Sequence, residues 1–284
     1  MSQTANAIPL ADQQSSQKKS RITLLDSRYV APAFITLILV VGHLSYGILE
    51  SYWRTGLAIV TAIAVELIFG RLIYGKWPHP ASAYITGISV GILVRSPAYW
   101  PYVVCSFLSI ASKYVLRLHG RHLWNPSNFG ISVMVFIVPA AMATLSIQWG
   151  NAVWPMLVIW VLGSVIIWRV RRFHICATYV LSFLAFAFLR SWITGNPWQS
   201  EVAPLTGPMY QLFTFFMVTD PKTTVSSKKG QILVVFLVAL VEMILRLMQS
   251  IYAPFYALFL VGPAAILVEI WRDSRKPKPM AASA

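Results

Sequence analysis

Long apolar runs separated by short polar loops make up most of this chain. A helix that crosses the hydrocarbon core of a bilayer needs about 20 mostly apolar residues. Candidate segments are Tyr29–Leu49, Thr55–Tyr74, Ser82–Val94, Tyr99–Leu118, Ser127–Ile147, Val153–Trp168, Ile175–Arg190, Leu205–Thr219, Gln231–Gln249 and Pro254–Trp271. The pattern predicts an all-α integral membrane protein with about ten transmembrane segments. Two of them are too short to cross. Ser82–Val94 has thirteen residues, roughly 20 Å of helix against a core of about 30 Å. Leu205–Thr219 is little longer and carries Pro208 near its start.

The two short segments end alike, in Val94-Arg95-Ser96-Pro97 and in Val218-Thr219-Asp220-Pro221. Leu116-Arg117-Leu118 is echoed by Leu245-Arg246-Leu247, and Pro126 by Pro254, at nearly constant offsets. The echoes predict two five-segment repeats, residues 29–147 and 153–271. An odd number of crossings per repeat turns the second upside down. The expected architecture is therefore two inverted five-helix repeats with paired half-helices. In such folds the broken helices expose backbone groups near the bilayer midplane, and the binding site forms between them.

Composition agrees with lipid as the solvent. Of 284 residues, 57% are hydrophobic and 11% charged, and mean hydropathy is +0.65; soluble domains carry about 25% charged residues. The net charge of +14 does not point to nucleic acid, because the basic residues sit in short loops. With the N-terminus inside, alternation leaves only Arg54, Arg95, Arg190 and Arg246 outside, as the positive-inside rule requires. Trp53, Trp100, Trp149 and Trp198 fall near outer ends, where indoles favour the headgroup level. Residues 1–28, rich in Gln and Ser, read as a disordered cytoplasmic tail. Residues 272–284 read as a basic cytoplasmic tail.

Cys105 and Cys176 form no CxxC pair, so a Cys-ligated metal is not expected. His43 lies in the first apolar run, but His79, His119, His122 and His174 all fall at cytoplasmic ends. A second haem ligand at its depth is missing. No phosphate loop, dinucleotide fingerprint or serine elbow occurs, so no catalytic residue is assigned.

Polar residues gather in three places: Ser82 to Ser89, His119 to Gly130, and Phe216 to Thr224. Asn125 suits an N-cap before Pro126. Asn128, one turn on, either bonds a neighbouring helix or contacts a ligand. Thr219 and Asp220 close the second short segment, with Thr223 beyond; Lys222 could neutralise Asp220. Glu66 and Glu242 lie within apolar runs and are candidates for an ion pathway. Arg246, four residues past Glu242, could simply pair with it, and Arg71 lies near Glu66. The Gly87–Gly91 spacing predicts a close helix crossing.

Three motifs together resemble a known family. They are Ser82-Ala83-Tyr84-Ile85-Thr86-Gly87, Arg121-His122-Leu123-Trp124-Asn125-Pro126-Ser127-Asn128-Phe129-Gly130, and Met217-Val218-Thr219-Asp220-Pro221-Lys222-Thr223-Thr224. The chain is similar to membrane components of two redox-driven ion pumps, the sodium-translocating NADH:quinone reductase and the Rnf electron-transport complex (the NqrB/RnfD family). It is also similar to a shorter branch found near enediyne biosynthesis genes. The resemblance implies a flavin-binding electron-transport subunit of the bacterial cytoplasmic (inner) membrane, with both termini cytoplasmic and other membrane subunits as partners. It also implies riboflavin or FMN, bound noncovalently near Thr86, Asn125, Asn128, Thr219, Asp220 and Thr223. In the family one FMN is esterified to a threonine of a Ser-(Gly/Ala)-Ala-Thr loop. Here that loop reads Ser200-Glu201-Val202-Ala203-Pro204-Leu205-Thr206-Gly207, so Thr206 is only a weak candidate for a covalent bond. At most the chain is an electron-transfer part of an oxidoreductase. The rival readings are a solute channel or carrier without redox activity, and a scaffold for a biosynthetic complex.

Overall fold

Helices form where the apolar runs fall. They are α1 (Ser27–Tyr46), α2 (Tyr52–Tyr74), α3 (Ala81–Leu93), α4 (Trp100–Val115), α5 (Pro126–Ile137), α6 (Trp154–Val170), α7 (Phe173–Thr194), the short α8 (Trp198–Val202) and α9 (Pro208–Leu212), α10 (Lys228–Leu247) and α11 (Ala253–Ser274). The fold was obtained as a computed structural model, which describes residues 27–47, 49–144 and 154–275. Most of the expected N-terminal tail, Trp149 and the end of the C-terminal tail lie outside them.

The protein is an all-helical membrane protein. Among the described residues, α2, α7, α10 and α11 are long and apolar enough to cross a bilayer. α3, α5 and the apolar stretches of α1 and α6 are shorter. The outer surface is apolar to match: Trp53, Trp154, Trp168 and Trp192 are all at least 77% exposed. Water would penalise so many exposed indoles; lipid does not.

Three expected segments end early for local reasons. α5 stops at Ile137 because Pro139 disfavours helical backbone at the residue before it. After α4 the chain turns back as a hairpin, β2 (Arg117–Leu118) against β3 (Arg121–His122). His119 and Gly120 both take positive φ, the two-residue turn whose twist matches a hairpin. The segment Leu205–Thr219 splits at Gly207-Pro208 into a 3-10 turn (Ala203–Thr206), α9 and a wide turn of π type (Phe213–Met217).

α2 packs on α3 and α4, α4 on α5, and α1 on α3. α7 packs on α10, α10 on α11, and α6 on α9. α5 meets α11, and α1 meets α6. The α2–α3 contact is close because of Gly87 and Gly91. A Cβ at Gly87 would lie 2.6 Å from Ile59 Cα, and one at Gly91 2.6 Å from Thr55 Cγ2. That fulfils the small-residue spacing.

α3 ends inside the protein without leaving its backbone unpaired. β1 (Val94–Arg95) pairs antiparallel with β4 (Ala143–Thr144), which follows α5. The Val94 carbonyl also accepts from the Tyr102 hydroxyl at 3.1 Å. Strand pairing and the Tyr102 hydroxyl supply backbone partners at this end of the half-helix.

Candidate functional site

A cavity of about 320 Å³ opens between the two short helices. α3 forms one wall through Ser82, Ile85, Thr86, Ser89 and Leu93. The chain from Leu212 to Lys222 forms the opposite wall, with Phe215, Phe216, Thr219 and Asp220. Asn125, Pro126 and Ser127 at the start of α5 close a third side, with Lys113, His122 and Arg172 alongside.

Asp220 organises the second wall. Its Oδ1 accepts from the Lys222 backbone N–H at 3.0 Å, and its Oδ2 from the Thr223 hydroxyl at 3.0 Å. Oδ2 also accepts from Asn125 Nδ2 at 3.2 Å. Asn125 is at the same time the N-cap of α5, accepting from the Asn128 N–H at 3.1 Å. One carboxylate thus joins the Thr-Asp-Pro loop to the Asn-Pro helix start. Thr219 donates to the Phe215 carbonyl at 2.5 Å and Thr86 to that of Ser82 at 3.0 Å.

Asn128 does not line the cavity. It is buried, and its Nδ2 donates to the Phe255 carbonyl on α11 at 3.3 Å. Of the two readings of Asn128, helix-to-helix bonding fits. Thr223 holds Asp220 without lining the cavity. Thr206 lies away from the cavity and donates to the Ala203 carbonyl at 2.7 Å.

Glu66 and Glu242 are both buried and both paired. Arg71 is not the partner of Glu66; its guanidinium caps the end of α2 at the Gly75 carbonyl. Glu66 instead holds Lys113 of α4 in a short ion pair, and Lys113 also donates to Ser82 at 3.1 Å. Glu242 accepts from Tyr179 and Tyr210, each at 2.6 Å, and from Arg246 Nε at 3.0 Å. The Glu242–Arg246 pair is as expected; nothing in the sequence announces the two phenols.

Lys113 and Arg172 are cavity residues that the motifs do not announce. Lys113 falls in the last turn of α4, where a basic residue reads as the cytoplasmic end of an apolar run. Arg172 sits in a loop among other basic residues. His122, in β3, is pushed down to about 4 by burial first and then by the charges of Arg117, Lys222 and Lys113. It is therefore neutral near pH 7. Arg172 Nη1 lacks any hydrogen-bond partner.

Compared with protein-family models the chain has no match, and compared with curated proteins it has none either. The likeness to redox-pump subunits therefore rests on the three motifs. All three contribute residues to the one cavity: Thr86, Asn125 and Asp220.

Proposed function

We propose that this protein is a flavin-binding, electron-transferring membrane subunit of an Rnf- or Nqr-like complex, in the bacterial inner membrane, with noncovalent flavin in the cavity between α3 and α9. The observation that carries the reading is the convergence of its three motifs on one cavity, with Asn125 bonded to Asp220 in its wall.

The residues present suit such a group. A cavity of about 320 Å³ lies within the range of small-molecule sites, roughly 300–1,000 Å³. Phe215 and Phe216 line the cavity with aromatic carbon, and Thr86, Ser89 and Asn125 offer polar contacts to a heterocycle's carbonyls and N–H groups. A bound flavin supplies one- and two-electron transfer. The chain's part is to hold and orient it, to keep water from the apolar wall of Ile166, Leu212 and Phe215, and to set a positive potential through Lys113, Arg172 and Lys222. Partner subunits would deliver and remove the electrons.

Ten membrane segments in two inverted repeats remain part of this reading. Its support is the neighbour pattern. α2–α4, α4–α5 and α1–α3 are matched by α7–α10, α10–α11 and α6–α9, and the fifth helix of each half meets the other, α5 with α11.

One observation favours a carrier or channel without redox chemistry. Thr206 is engaged with its own turn and has no cavity contact. The same cavity would then hold a small anionic solute.

The test is the visible spectrum of the protein purified from membranes in a mild detergent. An oxidised flavin spectrum is expected, and denaturation should release all the colour into a filtrate. A colourless protein that also fails to take up added riboflavin or FMN overturns the flavin reading.

A further inference from the structure

Resting on the flavin reading above, we propose that one end of this cavity is an anion subsite, built by Arg172 and Lys222 with His122 beside them, which holds a phosphate group so that FMN is taken in preference to riboflavin.

The charge balance points there. Three permanent cations line the cavity (Lys113, Arg172 and Lys222), against the single carboxylate of Asp220. Lys113 is already neutralised by Glu66. Asp220 already accepts from Asn125, Thr223 and the Lys222 backbone. Two positive groups are left facing the space. Arg172 lies within electrostatic reach of Asp220, and Lys222 within reach of His122.

An unmet donor is also present. Arg172 Nη1 is hidden from solvent and bonded to nothing. A buried donor on a charged group is costly to leave unpaired, and a phosphate oxygen is the acceptor that a guanidinium fork fits best.

Helix ends add to the field. α3 and α5 both begin beside the cavity, through Ser82 and through Pro126 and Ser127. The N-terminus of a helix carries partial positive charge and favours anions. Along α3 the lining changes from Ser82 at the first turn to Leu93 at the last, a rise of roughly 16 Å. The space is thus polar and cationic at one end and apolar at the other. Such a cavity takes an elongated molecule with an anionic tip and a flat, less polar body.

Flavin-fluorescence quenching with the full-length protein in detergent at low ionic strength tests this. FMN should bind roughly tenfold more tightly than riboflavin. Arg172→Gln should erase that difference by weakening FMN far more than riboflavin, and inorganic phosphate should compete with FMN only. Lys222→Gln, at an exposed position, repeats the test if the Arg172 variant does not fold. Equal affinity for the two flavins in the unaltered protein overturns the anion subsite and leaves the flavin reading standing. If neither flavin binds, the flavin reading falls. Thermal stabilisation by inorganic phosphate, lost in Arg172→Gln, would then still uphold the subsite, and no stabilisation would overturn it.

Discussion

Asn125 and Asp220, separated by 95 residues in sequence, share a hydrogen bond of 3.2 Å in the cavity wall. The bond ties the start of α5 to the loop after α9, and it uses a carboxylate oxygen that Thr223 also contacts. Asp220→Ala removes an acceptor from three donors at once. A hydrogen bond to a charged group contributes about 1.5–3 kcal/mol, so a clear fall in Tm is expected and, on the proposed function, weaker uptake of added flavin. Asp220→Asn, which keeps one carbonyl oxygen, should fall less. Thermal unfolding in detergent checks the ranking, and an Asp220→Ala protein as stable as the parent would show the bond to be idle.

Lys113 and Glu66 form a pair whose side chains are only 7% and 8% exposed. Removing one partner of such a pair costs about 3–5 kcal/mol, whereas replacing both with apolar residues is often neutral. Lys113→Met and Glu66→Met should each destabilise strongly, and the double variant should recover most of the loss. Additive losses in the double-mutant cycle would mean that the two charges act independently.

Trp124 completes a bond that α11 cannot make for itself. Pro263 has no N–H, so the Phe259 carbonyl lacks its usual partner four residues on. The Trp124 indole N–H supplies it at 2.9 Å. Trp124→Phe should cost about 1–2 kcal/mol in the parent and less in a Pro263→Ala background, where the helix regains its own donor. Equal costs in both backgrounds, measured by denaturation, would remove the link between the two residues.

His122 makes stability depend on pH. Its folded-state value of about 4, set by burial and then by Arg117, Lys222 and Lys113, lies below the ordinary value of about 6.5. The unfolded chain therefore binds the proton first. The stability associated with neutral His122 is whole above about pH 6.5 and drains away as pH falls towards about 4. His122→Gln should flatten the Tm profile in that window; a profile identical to the parent's would assign the acid sensitivity elsewhere.

Hydropathy locates the helices well because their cause is local: α2, α7, α10 and α11 follow from apolar length alone. The short ends of α4 and α5 are harder to read. The His119-Gly120 turn and Pro139 are visible in the sequence, but the apolar residues beyond them imitate a longer helix. At the site, Asn125, Thr219 and Asp220 are legible because their types are unusual inside apolar surroundings. Asn128 has the same signature, yet it faces α11. Which side of a helix faces a cavity is decided by tertiary packing, and one turn of helix is enough to reverse it. Lys113 is hard to pick out because a loop charge and a membrane charge look alike at the end of an apolar run. Its partnership with Glu66 spans 47 residues, and no local pattern encodes that.

Arg54, Arg190 and Arg246 each hold a glutamate no more than eleven residues away, at 2.6, 2.8 and 3.0 Å. Each cation therefore leaves the ribosome almost together with its counter-charge. Moving one bare elementary charge through a membrane voltage involves about 2.3 kcal/mol per 100 mV. A close pair of opposite sign moved together does almost no net electrical work, so each of these arginines can sit in a membrane field without being driven by it.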